Sequence, residues 1–568
     1  MNRTRILILA LIIPLVLVPV MVHAGDKETG LVRNETGAFP GYTLISPLFS
    51  TESFLVDLEG RVVHRWQREF PPGQSIYLLD DGHLLATANP GPENPTVFHG
   101  GGAGGRIQEY DWEGKLVWDF EFSGDRHLQH HDIEMMPDGN VLILAWELKT
   151  EEEALSAGRD PEMLSEQGLW PDMVVEVKPE GKTGGTIVWE WHAWDHLVQE
   201  HDPSKANYGK VVQNPRRIDL NPGSWESGLS KNEREKLEAL GYLQPEAPGR
   251  GGHDKGHGAS PDFMHGNSVD YNAELDQVLV SVLGYNEIWV IDHDTTTEEA
   301  AGPAGDLLYR WGNPAMHGAG TAEDRQLFAQ HDARWVPGDD GGPDQILIFN
   351  NGRGRPGGDW STVVAIVPPL SGDGSYSWPE GGVPGPAEPV WAYSSPEKGD
   401  FYSNFISGAE RLGNGNTLIC SGAEGRVFEV TPAGETVWEY RNPVEGNPMS
   451  MMAGRVGRDG PPGGMMPPGG GGFPGGPPPG MISPGRTMPP PEMIPEPIRD
   501  LYHGGHISSL MLNLVRVLPP PMMKGGGPGG PQRGNLLFRA SRFGPEYPAF
   551  AGRDLTPRKT IEAMIAAE

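Results

Sequence analysis

The apolar positions of this chain come in bursts of four or five, bounded by turn residues, and the bursts recur in a fixed order. One burst follows a Gly-Asn-type turn: Gly82-His-Leu-Leu-Ala-Thr, Gly139-Asn-Val-Leu-Ile-Leu, Asp276-Gln-Val-Leu-Val-Ser, Asp344-Gln-Ile-Leu-Ile-Phe, Gly415-Asn-Thr-Leu-Ile-Cys and Gly534-Asn-Leu-Leu-Phe-Arg. A second centres on an aromatic, as in Leu116-Val-Trp-Asp-Phe120 and Thr436-Val-Trp-Glu-Tyr440. A third lies just before it, as in Val174-Val-Glu-Val177, and a fourth precedes the turn, as in His131-Asp-Ile-Glu-Met-Met-Pro137. Short apolar runs between turn signals read as strands. Four strands repeated six times predict an all-β, six-bladed β-propeller, because such small sheets bury both faces only by stacking radially. The chain opens on third and fourth strands, Ser53–Trp66. It closes on expected first and second strands near Asn513–Val517 and Leu536–Ala540. The two ends are therefore expected to share the closing blade, which removes exposed sheet edges.

The regions outside the repeat have other compositions. In residues 1–24, Arg3 and Arg5 precede an apolar run from Ile6 to Val22, and Val22-His23-Ala24 offers a cleavage site. This reads as a cleaved secretory signal, with a periplasmic or secreted mature chain 25–568; an uncleaved anchor is the alternative. No later stretch is apolar enough to span a bilayer. Residues 443–498 and 518–533 are rich in Gly, Pro and Met and are expected to be disordered insertions. Residues 193–260 form a long polar connection, with a short helix expected at Lys231–Leu240.

Charge and cysteine content narrow the partners. The net charge of −32 becomes about −34 once the two arginines of the signal are removed. Such a surface repels nucleic acid and anionic lipid, so a site for an anion must be locally positive. The lone cysteine, Cys420, allows no intrachain disulfide and sits in a strand pattern, where a packed thiol is expected.

The candidate chemistry lies at one mouth of the predicted channel. His131, His265 and His331 each begin a first strand, at the phase that Gln74 and Ser407 occupy in other blades. One such histidine reads as structural; three in register point to function. Asn350-Asn351-Gly352-Arg353-Gly354-Arg355 follows the second strand of its blade and reaches the same face, where arginine forks suit an oxyanion. Asn267, Asn351 and Ser407 are expected to line the mouth, with His503 and His506 close by. Trp189 and Trp191 read as inter-blade packing, and His127, His130, His192, His196 and His201 as loop residues. No metal site or cofactor is expected.

Five pieces carry a resemblance: His265-Gly-Asn-Ser-Val-Asp-Tyr271, Gln330-His331-Asp332, Phe349-Asn-Asn-Gly352 with the following arginines, Ser407-Gly-Ala-Glu-Arg-Leu-Gly-Asn-Gly-Asn416, and Phe538-Arg-Ala-Ser-Arg-Phe-Gly-Pro-Glu-Tyr547. As a set they resemble the bacterial arylsulfotransferase (aryl-sulfate sulfotransferase) family. The resemblance implies a periplasmic six-bladed propeller that moves sulfate from a phenolic ester to a phenol without a nucleotide donor. It also implies a histidine that takes the sulfuryl group, steadied by two further histidines and an arginine. By position, His265 and His331 match the supporting histidines, and Arg355 the arginine, with Arg353 its rival. The nucleophilic histidine should fall near Phe401–Leu412, which contains none, and the family's disulfide cannot form. Either another imidazole is the nucleophile or the transferase chemistry has been lost. His331 leads, beside its two arginines. His265 would then donate to the leaving phenolate, with His131 or His506 as a further acid–base group. The expected partners are an aryl sulfate and a phenol. The competing readings are a non-catalytic propeller that binds a small anion or a protein, and a quinone-dependent dehydrogenase. The latter lacks a carboxylate-rich calcium loop here.

Overall fold

The computed structural model describes residues 29–91, 96–222, 260–338, 341–372, 374–379, 383–446 and 535–567. The expected signal, the Lys231–Leu240 helix, the strand near Asn513–Val517, His503, His506 and nearly all of both Gly/Pro-rich insertions lie outside them.

The described strands in chain order are β1 (Gly30–Asn34), β2 (Tyr42–Pro47), β3 (Glu52–Val56), β4 (Val62–Gln67), β5 (Pro72–Leu78), β6 (Leu84–Ala88), β7 (Arg106–Tyr110), β8 (Leu116–Glu121), β9 (His127–Met135), β10 (Val141–Glu147), β11 (Asp172–Glu180), β12 (Gly184–His192), β13 (Leu197–Val198) and β14 (Ile218–Asp219). They continue with β15 (Gly266–Asn272), β16 (Gln277–Val282), β17 (Glu287–Asp292), β18 (Tyr309–Trp311), β19 (His331–Val336), β20 (Gln345–Asn350), β21 (Thr362–Ile366), β22 (Trp391–Tyr393), β23 (Gly408–Arg411), β24 (Thr417–Ser421), β25 (Arg426–Val430), β26 (Thr436–Arg441) and β27 (Leu537–Phe543). The Gly-Asn-type turns do what their residues allow. At Asp138-Gly139-Asn140 the glycine takes φ 87°, and the Asp138 carboxylate accepts from the Asn140 N–H at 3.0 Å. Asp276 holds the same left-handed turn position without glycine, at φ 49°.

The protein is all-β in its described core and propeller-like. Antiparallel meanders β15–β18 and β19–β22 form separate sheets, and β23–β26 carries β1 as a fifth, outer strand. Meanders β5–β8 and β9–β12 merge through a single parallel pairing of Gln74 with His131. The first strands β5, β9, β15, β19, β23 and β27 pack side by side along the central channel.

The chain ends do share a sheet, in the order β27-β2-β3-β4. The strand phase differs from the sequence expectation. The segment around Leu536–Ala540 is the innermost strand, and Tyr42–Pro47 supplies the second. Thr43, Ser46 and Pro47 mask Tyr42–Pro47 as a strand in the sequence, yet five of its six residues are buried. This sheet is buried on both faces: Leu44, Leu55 and Trp66 meet Leu78 and Leu84, whereas Ile45, Phe54 and Val56 meet Leu418, Val427 and Trp438. Cys420 is packed in the latter cluster, where burial pushes its thiol up and keeps it protonated. Part of the expected polar connection is also built: β13 pairs with β14 in parallel and buries Leu197, Val198 and Ile218.

Charged groups fill the channel below its mouth. The half-buried Glu410 accepts from the Arg542 N–H at 2.9 Å. Removal from water pushes its carboxyl up to about 7, with Asp332 adding to the rise, while that N–H, Arg334 and Arg542 pull the other way. A raised carboxyl binds its proton more tightly in the folded state. Stability is therefore full below the ordinary carboxylate range and is lost as pH rises towards 7. Denaturant titrations at pH 5 and pH 8 should show the wild type weaker at pH 8, with the difference reduced in Glu410→Gln. An unchanged difference in that variant would refute the assignment.

Candidate functional site

The first strands begin with backbone that side chains rarely adopt. His131 and His265 sit at φ 50° and 53°, Asp332 at 53°, Gln74 at 137° and Ser407 at 122°. The register slips by two residues around His131, which lies inside β9 and not at its start as the sequence suggested, and by one around Asn267 and Asp332, so each is a β-bulge. Each left-handed non-glycine residue costs about 1–3 kcal/mol, a strain that gathers at functional sites. The aspartates that follow His131 and His331 hold the bulges in place. Asp132 accepts from the Val269 N–H at 3.1 Å and Asp332 from the Ala409 N–H at 3.0 Å, each reaching the next sheet. The His-Asp pairing is thus a stitch that aims the histidine and ties neighbouring first strands.

The three histidines converge and are almost wholly buried. The rings of His131 and His265 meet edge to face at 4.8 Å. His265 Nδ1 lies 2.5 Å from Asp262 Oδ2, and the His265 N–H donates to Asp262 Oδ1 at 3.1 Å. A carboxylate only accepts, so Nδ1 carries the proton and Nε2 presents the lone pair. His131 Nδ1 is 2.9 Å from His130 Nδ1, His130 stacks on Trp146 at 4.2 Å, and His130 Nε2 lies 3.2 Å from Asp172. Burial holds His130 down at about 3 and His131 well below its ordinary value; the neighbouring imidazoles add to this at His131. Both are neutral at pH 7.

His331 is placed differently from the sequence expectation. Its Nδ1 donates to Asn351 Oδ1 at 2.8 Å, and its Nε2 accepts from the Ile406 N–H at 3.2 Å. The lone pair expected to attack is engaged by backbone. Burial keeps this ring neutral, down at about 3. Asn351 also donates to the carbonyls of Ser403 and Ile406, at 2.7 and 2.9 Å, and so clamps the 403–407 loop over the ring. Ile406 itself is left-handed at φ 47°, a strained position for a β-branched residue.

The two arginines part company. Arg353 is buried, its charge acts on His331, and it donates to the Asn404 carbonyl at 3.3 Å. Arg355 instead lies over Phe328 and Trp360, at 5.4 and 4.8 Å, and donates to Thr362. Asn267 and Ser407 act within the frame: Asn267 donates to the Gln330 carbonyl at 2.8 Å, and Ser407 to Ser403 at 2.8 Å. The sequence reading missed Asp262, Asp172, Arg539 and Gly102. A side chain at Gly102 would overlap the His131 ring, so only glycine fits beneath it. His196 and His192 serve the frame, His196 on Asp306 and Trp191 and His192 beside Glu147. Among the described residues, three donors gather at metal-ligand spacing at Asp81, His83 and Glu109, away from these imidazoles.

The family model for arylsulfotransferase (ASST) matches residues 40–442, well over half of the chain. The chain belongs to the arylsulfotransferase family. Solved structures similar to this arylsulfotransferase-family protein include a protein of unknown function from Bacteroides caccae, with TM-score 0.35 and 10% identity, covering 70% of this chain and 93% of that one. Another is a streptogramin B lyase, at 0.31 and 10%, covering 74% and 88%. A third is the periplasmic gluconolactonase PpgL of Pseudomonas aeruginosa, at 0.32 and 12%, covering 71% and 96%. None of the curated proteins compared matches the chain.

Proposed function

We propose that this chain is an exported, six-bladed propeller that transfers a sulfuryl group from an aryl sulfate to a phenol through a histidine. The observation that carries the reading is the Asp262–His265 pair facing His131 at 4.8 Å, in a family member whose Arg353 charge acts on His331. His265 Nε2 attacks sulfur, the bond from sulfur to the aryl oxygen breaks, and the phenolate leaves. A proton reaches that oxygen from His131 and is replaced through His130 from the Asp172 carboxyl, which burial pushes well above its ordinary value. The acceptor phenol then attacks sulfur, the nitrogen–sulfur bond breaks, and the phenolic proton returns by the same route. Charge on the sulfuryl oxygens is met by Arg353, the kind of placed donor worth about 3–4 kcal/mol. Asp262 holds the His265 tautomer and steadies the cationic ring as it forms. In this reading His331 fixes the frame and the 403–407 loop moves aside to admit the ester.

One feature favours the second reading, a non-catalytic anion-binding propeller: the three imidazoles are buried and the loop caps His331. Incubation with 4-nitrophenyl sulfate and excess phenol separates the two. Transfer predicts nitrophenolate and phenyl sulfate in equal amounts. Binding without either product would leave the second reading standing.

A further inference from the structure

The connection from β18 to β19 shapes a cavity of about 240 Å³. A short 3₁₀ turn, Pro314–His317, ends at left-handed Gly318 and drives His317 inward until 2% of it is exposed. Trp311, Pro314, Pro384 and Pro386 form the walls, and the exposed Glu323 and Asp324 form the rim.

The floor is nearly closed to further bonding. Glu287 Oε2 accepts from Trp289 at 2.8 Å and from Arg310 Nε at 2.9 Å. Arg310 also donates to the carbonyls of Pro215 and Arg217, so its guanidinium is engaged on every side. The indole N–H of Trp311 is likewise held, by the Pro386 carbonyl at 2.9 Å. His317 is the exception. Its Nδ1 lies 3.4 Å from Glu287 Oε1, and neither ring nitrogen nor that oxygen has a hydrogen-bond partner among the described residues. The tautomer with its proton on the nitrogen nearer the carboxylate presents Nε2 as a buried acceptor. Buried polar atoms are rarely left so.

These features define a ligand. A donor is needed at the floor, a flat apolar body between tryptophan and prolines, and a positive charge at the acidic rim. We propose that this cavity binds a small hydroxyaryl amine, with its hydroxyl donating to His317 Nε2, its ring beside Trp311 and its ammonium next to Glu323. The site is independent of the transfer reading, since no sulfate ester or histidine of the mouth takes part.

The test is calorimetric titration of the full chain with tyramine, in the absence of any sulfate ester. Saturable binding is expected. His317→Phe and Val383→Trp, the latter a surface change at the cavity lip, should each weaken it by about tenfold or more. Glu323→Lys should weaken it several-fold. 2-Phenylethylamine, lacking the hydroxyl, should bind about tenfold more weakly, and 4-hydroxyphenylacetate, with the charge reversed, should not bind. Unaltered melting of Val383→Trp keeps the test sound should His317→Phe fail to fold. The proposal falls if tyramine shows no saturable binding at millimolar concentration. It falls equally if both cavity variants bind as wild type does, or if the hydroxyphenylacetate binds as tightly as the amine.

Discussion

Replacing His265 with alanine is expected to abolish aryl sulfate turnover, by about 10³-fold or more, because it removes the nucleophile and the centre of the Asp262 pair together. Asp262→Asn should fall by about 10²–10⁴-fold with the fold intact. An amide at that position can donate to Nδ1, and the ring would then turn its lone pair away from the mouth. His331→Ala tests the alternative. If turnover persists in His265→Ala and dies in His331→Ala, the 403–407 loop must open and free the His331 Nε2 for attack, and the nucleophile assigned here is wrong. Initial rates with 4-nitrophenyl sulfate decide this, together with mass spectrometry of a sulfurylated histidine peptide.

The repeat of strands was legible because each obeys local rules: glycine or aspartate in the turn, β-branched and apolar residues in the run. The convergence of His131, His265 and His331 was legible for the same reason, since their phase within the repeat is a property of the sequence. What the sequence hid depends on contacts across sheets. Asp262 stands at the end of a polar connection and reads as a loop residue until the bulge at His265 brings the two together. Arg353 and Arg355 are two residues apart, and only packing decides that one acts on His331 while the other lies on Trp360. The engagement of the His331 Nε2 comes from a backbone N–H, which leaves no mark in side-chain identity. Tyr42–Pro47 escaped because a short strand with Thr, Ser and Pro lacks the apolar run that marks its neighbours.

Arg539→Met is expected to destabilise the protein by about 3–5 kcal/mol, the cost of stripping a partner from buried charges. Arg539 comes from β27, near the C-terminus, and reaches into the channel with 9% of its side chain exposed. It donates to Asp132 at 2.7 Å, to the Tyr77 hydroxyl at 2.6 Å and to the Asn267 carbonyl at 3.1 Å, and lies 2.9 Å from Asp332. Two aspartates that stitch neighbouring sheets thus depend on one guanidinium. Methionine keeps the aliphatic stem but leaves Asp132 buried without its cation. Arg334 still pairs with Asp332 at 2.8 Å, so the loss should fall chiefly on Asp132. Adding Asp132→Asn to Arg539→Met should therefore recover part of the stability, a coupling that a general packing defect would not show. Because Asp132 anchors the bulge that aims His131, the single variant should also lose transfer activity at temperatures where it remains folded. Denaturant unfolding of the two single variants and the double variant provides the measurement. A loss below about 1 kcal/mol in Arg539→Met would mean that Arg334 alone neutralises the channel.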